Sequence, residues 1–135
     1  INDFRFNLED EKYLINNHKQ VMDIKRTANK NMLFYKKEIN DDLSKDKLFT
    51  TYNSMNSIIE DIQKKFEYYR LSLYIYSFST FMEILLLGNY KNDYLLNKKN
   101  ELEELDNEYS EAFDNALKYV KKNANKSLEG MYCQD

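Results

Sequence analysis

Proline and tryptophan are absent from this sequence, and there are only two glycines, one cysteine and one histidine. Each shortage excludes something. Without proline, and with Gly88 and Gly130 alone, the chain lacks the turn punctuation that a many-stranded β-protein of 135 residues would need. A Gly-rich phosphate loop is excluded for the same reason. The lone Cys133 excludes an internal disulfide and a multi-cysteine zinc site, and with no electropositive neighbour in sequence it is a poor nucleophile. The lone His18 has Ile15 three positions before it, so the paired Glu-x-x-His motifs of di-iron bundles cannot form. No Ser/His/Asp signature surrounds it either, and it reads as a boundary residue of a helix. Charge of one sign is also missing: 20 basic and 23 acidic residues give a net charge of −3. A mixed, slightly acidic balance argues against nucleic acid as partner, since nucleic-acid domains concentrate base on one face.

What is present is helical periodicity. From Leu8 to Asn40, the residues Leu14, Val21, Ile24, Ala28, Met32, Tyr35 and Ile39 recur at helical steps. Asn40, Asp41 and Asp42 offer a turn, and Asp42 or Ser44 is placed to cap a second helix. That helix carries the clearest pattern. Leu48, Tyr52, Met55, Ile59, Ile62, Phe66, Tyr69, Leu73, Tyr76 and Thr80 alternate steps of four and three, a heptad seam of about four and a half repeats. It can end at Gly88 as a C-terminal cap, giving a helix over 44–88 of roughly 65 Å. A third helix is expected from a cap at Asp93 to about Ala124. Its seam is Leu95, Lys98, Leu102, Leu105, Tyr109, Ala112, Ala116 and Tyr119, widened by Phe113, Leu117 and Val120. Lys98 is expected to reach past the seam to water, and Asn123 is a polar position that can fix register. Glu101, Glu104, Glu108 and Glu111 form an acidic stripe that reads as a solvated face.

Short connections make neighbouring helices antiparallel. The expected fold is therefore all-α, an elongated, coiled-coil-like antiparallel bundle of three long helices. A four-helix version follows if the second helix breaks near 77–80. The domain spans 8–127, between a lead-in over 1–7 that carries Phe4 and Phe6 and a flexible tail over 128–135. A chain that starts at Ile1 is expected to be a fragment or processed form, with any signal or anchor upstream. The excess of Lys over Arg, with abundant Asn, Ile and Tyr, points to an AT-rich genome and says nothing of function.

One stretch stands apart: LSLYIYSFSTFMEILLLGNY, residues 71 to 90, has the single charge Glu83. It is short for a bilayer span, which takes about 20 apolar residues. The seam also enters it from residue 48 without a change of register, so membrane contact within this fragment is disfavoured. A second apolar row, Leu71, Tyr74, Phe78, Phe81 and Leu85, runs beside the seam with Ile75, Met82 and Leu86 near it. This end of the helix is apolar nearly all round and demands cover all round. A first helix folded back from a turn at 41–43 would reach only to about residue 76. Either Phe4, Phe6 and the third helix seal the remainder, or it is a surface for another protein. Leu71, Tyr74, Ile75, Phe78, Phe81, Met82 and Leu85 are the candidate contact surface. The expected function is a non-catalytic interaction module that binds a protein partner or homodimerises, within a larger membrane-anchored or secreted protein. The alternative is an extracytoplasmic sensing bundle with a small molecule among Tyr68, Tyr74, Phe78 and Tyr90. No catalytic, cofactor-binding or metal-binding residue is expected, and the sequence does not fix a compartment.

Overall fold

A computed structural model describes the backbone of residues 8–132 and the side chains of residues 16–126. Three helices make up the fold: α1 (Leu8–Leu43), α2 (Tyr52–Leu87) and α3 (Asn92–Tyr132). No strand occurs among the described residues. The protein is an all-α three-helix bundle, and at about 1.5 Å per residue each helix is over 50 Å long. Its core holds Ala28, Met32 and Ile39 from α1, Ile62, Phe66, Tyr69, Leu73 and Tyr76 from α2, and Ala112, Ala116 and Tyr119 from α3. These are the centres of the three expected seams.

The ends of the helices depart from expectation. Asp42 and Ser44 do not cap α2; they close α1. The Ser44 amide donates to the Asn40 carbonyl at 3.0 Å, and its hydroxyl donates to the Asp41 carbonyl at 2.7 Å. Asp42 is buried and ion-paired with Lys65 of α2. The chain then crosses in an irregular connection over 44–51, anchored by the buried Phe49 and by the Lys47 amide donating to Asn123 Oδ1 at 3.3 Å. Thr51 is the true cap. Its hydroxyl accepts from the Ser54 amide and the Ser54 hydroxyl accepts from the Thr51 amide, both at 3.1 Å, a reciprocal capping box. Leu48 and Tyr52, the first members of the expected seam, are therefore exposed, because the first lies before the helix and the second opens it.

The longer connection also resets the register of α1 on α2. Tyr35 stacks on Tyr68, with ring centroids 5.3 Å apart, and Lys25 meets Glu83. α1 thus runs beside the whole apolar end of α2 rather than stopping near residue 76. Small residues permit its close approach. Ser72 and Ser79 are buried on α2, and each donates its hydroxyl to the carbonyl four residues back, at 2.8 and 2.7 Å. Satisfied on their own helix, they act as small packing groups. Ser77 and Thr80 do the same, so α2 is unbroken and the four-helix alternative does not arise.

Gly88 ends α2 with φ +62°, and its amide donates to the Ile84 carbonyl at 3.0 Å, the expected left-handed cap. α3 begins at Asn92, two residues earlier than a cap at Asp93 implies. Asp93 lies in its first turn, where its charge suits the helix dipole, rather than at the cap. Its helix continues past Ala124 to Tyr132. α3 meets α2 through aromatic edges: Phe66 against Tyr109 and Phe113, and Tyr69 against Tyr109, at centroid separations of 5.0–5.9 Å. Phe4, Phe6, Leu14 and Cys133 lie outside the residues whose side chains are described.

Candidate contact surface and buried charge cluster

Over residues 71–87, α2 sorts its side chains by direction. Ser72, Leu73, Tyr76, Ser79, Thr80 and Glu83 point into the bundle and are buried. At 3.6 residues per turn, Phe78 lies about half a turn from that side, between Leu71 and Leu85. Leu71, Tyr74, Phe78, Phe81 and Leu85 are 54–70% exposed. Ile75 sits at the α1 edge of this row and is 36% exposed, while Met82 is half-buried. The expected contact residues thus share one outer face, with Met82 in part beneath it. Among the described residues neither α3 nor α1, which reaches further than anticipated, covers this face; Phe4 and Phe6, the other expected cover, lie outside them. Tyr68, Tyr74, Phe78 and Tyr90 are all exposed and do not enclose a pocket.

The face has a sharp polar boundary. On the same side of α2, earlier in the helix, stand Asn53, Asn56, Glu60, Gln63, Lys64 and Glu67, all exposed. After Arg70, also exposed at its edge, the side turns apolar and carries no charge as far as Leu87. Apolar grooves flank it. One lies against α1, lined by Ile24, Ala28, Ser72 and Ile75. The other lies against α3, lined by Phe81, Ile84, Leu95 and Leu102. Ile24 was expected in the α1 seam. It is instead 51% exposed at the rim of the first groove, and its neighbour Lys25 takes the inward position.

Opposite the face, inside the bundle, lies a charge cluster built from all three helices. Lys25 Nζ of α1 donates to Glu83 Oε2 of α2 at 2.8 Å, with both side chains about nine-tenths buried. Lys98 Nζ of α3 lies 3.8 Å from the other Glu83 oxygen and 3.8 Å from Glu101. The Tyr76 hydroxyl donates to Glu101. Lys25 Nζ also stands 5.0 Å from the centre of the Tyr76 ring, and Lys98 Nζ 5.6 Å from that of Tyr94. Burial, then the Glu101 hydrogen bond and charge, then Glu83, hold the Tyr76 phenol well above its usual range. Tyr94 is raised by burial and by Glu83.

Lys98 therefore corrects the expectation that it reaches water. Sequence reasoning also missed Lys25 and the inward aim of Glu83. The signal was present: Val21, Lys25, Ala28 and Met32 keep the seam spacing as well as Ile24 does, and a lysine there needs a buried acid. The acidic stripe is divided as well. Glu101 and Glu108 are half-buried and paired, Glu108 with Lys36 at 3.2 Å, whereas Glu104 and Glu111 are exposed.

Asn123 is buried, accepts from the connection over 44–51 and donates to the Tyr119 carbonyl at 2.9 Å. It fixes a loop to α3. No family model matches the chain, and no curated protein or solved structure matches it. Fold and surface together define a class: an all-α bundle with its charges paired inside and an uncharged aromatic face outside.

Proposed function

We propose that this chain is a non-catalytic helical-bundle module that works by protein–protein contact through the outer face of α2. One observation carries the reading: the only charge of 71–87 is turned inward and the large apolar side chains are turned out. A helix facing water has the reverse arrangement. Tyr74 and the two phenylalanines suit a protein interface, where aromatic residues are enriched. Within α2 there is a window apolar enough by length and composition to cross a bilayer, and a third of it is buried in the bundle. A crossing would carry with it the charged outer sides of α1 and α3, which run alongside, so contact with protein accounts better for the same face.

The test combines light scattering with an apolar fluorescent dye. A contact module shows either a mass above the monomer, because protein covers the face, or dye binding that Phe81→Glu abolishes, because the face is open. A monomer that binds no dye would mean the face is sealed and would end the proposal.

A further inference from the structure

Resting on that reading, we infer that the occupant of the face is a second copy of this chain, with the two α2 helices packed antiparallel about a dyad at Phe78.

Area is the first argument. Buried aromatic side chains cover roughly 150–250 Å² each, so the exposed parts of Leu71, Tyr74, Ile75, Phe78, Phe81 and Leu85 sum to roughly 700 Å². The largest apolar patch on an ordinary monomer is about 300–600 Å². Each partner in a standard interface contributes about 800 Å². The face is thus too large for a bare surface and about right for one side of a stable dimer. Two copies presenting it to each other would cover both at once.

Charge selects the occupant. No cationic side chain lies on α2 between Arg70 and Lys91, and the chain carries a net charge of −3. Helices that lie on anionic lipid surround their apolar side with lysine and arginine. A foreign protein selected by complementary charge would likewise meet no charge to read. An uncharged patch is suited to meeting itself, because a dyad brings the same patch to both sides and a charge near the axis would repel its copy.

Polarity also decides the direction of pairing. With the helices parallel, Glu60 would face Glu60 of the second copy, Lys64 would face Lys64 and Glu67 would face Glu67, all like charges. An antiparallel pair centred on Phe78 carries these residues beyond the end of the opposing helix at Gly88. It sets Leu71 against Leu85, Tyr74 against Phe81 on the α3 side and Ile75 against Met82 on the α1 side, aliphatic meeting aliphatic and aromatic meeting aromatic. Glu67 then arrives near residue 89 of the second copy, in the connection that carries Lys91.

The experiment is a light-scattering dilution series on the intact chain, with dye binding and far-UV circular dichroism in parallel. The expected result is a monomer–dimer equilibrium for the wild type. Phe78→Glu places two carboxylates on the dyad and should weaken association by on the order of a hundredfold, with helicity unchanged because Phe78 is 58% exposed in the single chain. Tyr74→Glu is the second probe and should act in the same direction.

Orientation is read with Leu71→Cys and Leu85→Cys, each in a Cys133→Ser background, and a short bismaleimide. A mixture of the two should cross-link while neither does so alone, since like positions would stand about 21 Å apart. Self-linking of Leu71→Cys would overturn the antiparallel pairing. A dimer that survives both glutamate variants would place the interface elsewhere. A wild-type monomer that binds dye would exclude the second copy and leave the contact module standing; a monomer that binds none would remove both.

Discussion

Glu83 shows what a single residue can demand of this fold. It is buried between Lys25 at 2.8 Å and Lys98 at 3.8 Å, and its removal would leave two cations in a site that has lost its shared anion. Breaking a buried pair from one side costs about 3–5 kcal/mol, whereas apolar replacement of both partners is often neutral. Glu83→Ala should therefore destabilise the protein by about 3 kcal/mol or more in urea unfolding. Lys25→Met with Glu83→Leu should lie within about 1 kcal/mol of wild type, because Lys98 keeps Glu101. A double variant as unstable as the single one would show that the cluster itself holds the three helices together. The phenols supply a second prediction. Burial first, then the Glu108 and Tyr109 charges, push Tyr69 up from 10.0 to about 12, and burial raises Tyr109 and Tyr119 in the same direction. The folded chain thus holds protons that the unfolded chain releases above pH 10. Stability is complete below that value and falls as pH rises toward about 12. Phenolate absorbance should show a group of tyrosines that ionise only as helicity is lost.

At the scale of the helix, the ends are the cheapest place to test the assignment. Thr51→Ala removes the hydroxyl that accepts from the Ser54 amide, while the residue-51 amide keeps its bond to the Ser54 hydroxyl, and should cost about 1 kcal/mol. Gly88→Ala should cost a similar amount, about 1 kcal/mol, solely from its positive φ, since a Cβ there meets nothing within 4 Å. Equal stability of either variant in thermal unfolding would mean that the helix frays at that end regardless. These ends also show what sequence could and could not disclose. The seams were legible because burial enforces spacing, and Ile62, Phe66, Tyr69, Leu73 and Tyr76 are buried as the heptad requires. The start of α2 was not, because Asp42, Ser44 and Thr51 all have capping chemistry, and the choice among them rests on Asp42 pairing with Lys65 and on Phe49 being buried in the connection. That eight-residue connection moved the register of α1, and with it the pairing of Lys25 with Glu83. The outer row of α2 was readable from residue types alone. Whether it was covered depended on neighbours whose register could not be read.

At the scale of the molecule, the two junctions between helices are unlike. α1 and α2 approach closely over small residues, Ala28, Ser72 and Ser79, and are tied at both ends by Lys25 with Glu83 and by Lys65 with Asp42. α3 reaches α2 through long aromatic side chains, and an open apolar groove lined by Ile62, Phe66, Phe113 and Leu117 runs along that junction. Phe113 and Leu117 remain largely exposed at its edge. Local stability follows contact density, so opening should be cheapest where packing is sparse and backbone bonds face water. Native-state hydrogen exchange is expected to find its slowest amides in α1 around Ala28–Ile39 and in α2 around Phe66–Thr80, exchanging by global unfolding. Amides of α3 beyond Tyr119 should exchange through smaller openings, restrained by Asn123 where it holds the connection over 44–51. Asn123→Ala removes that restraint, and should speed exchange in the last turns of α3 and at Lys47 together, while leaving Phe66–Thr80 slow. Uniform acceleration along all three helices would instead mean that the bundle opens as one unit, with α3 as firmly held as the α1–α2 pair.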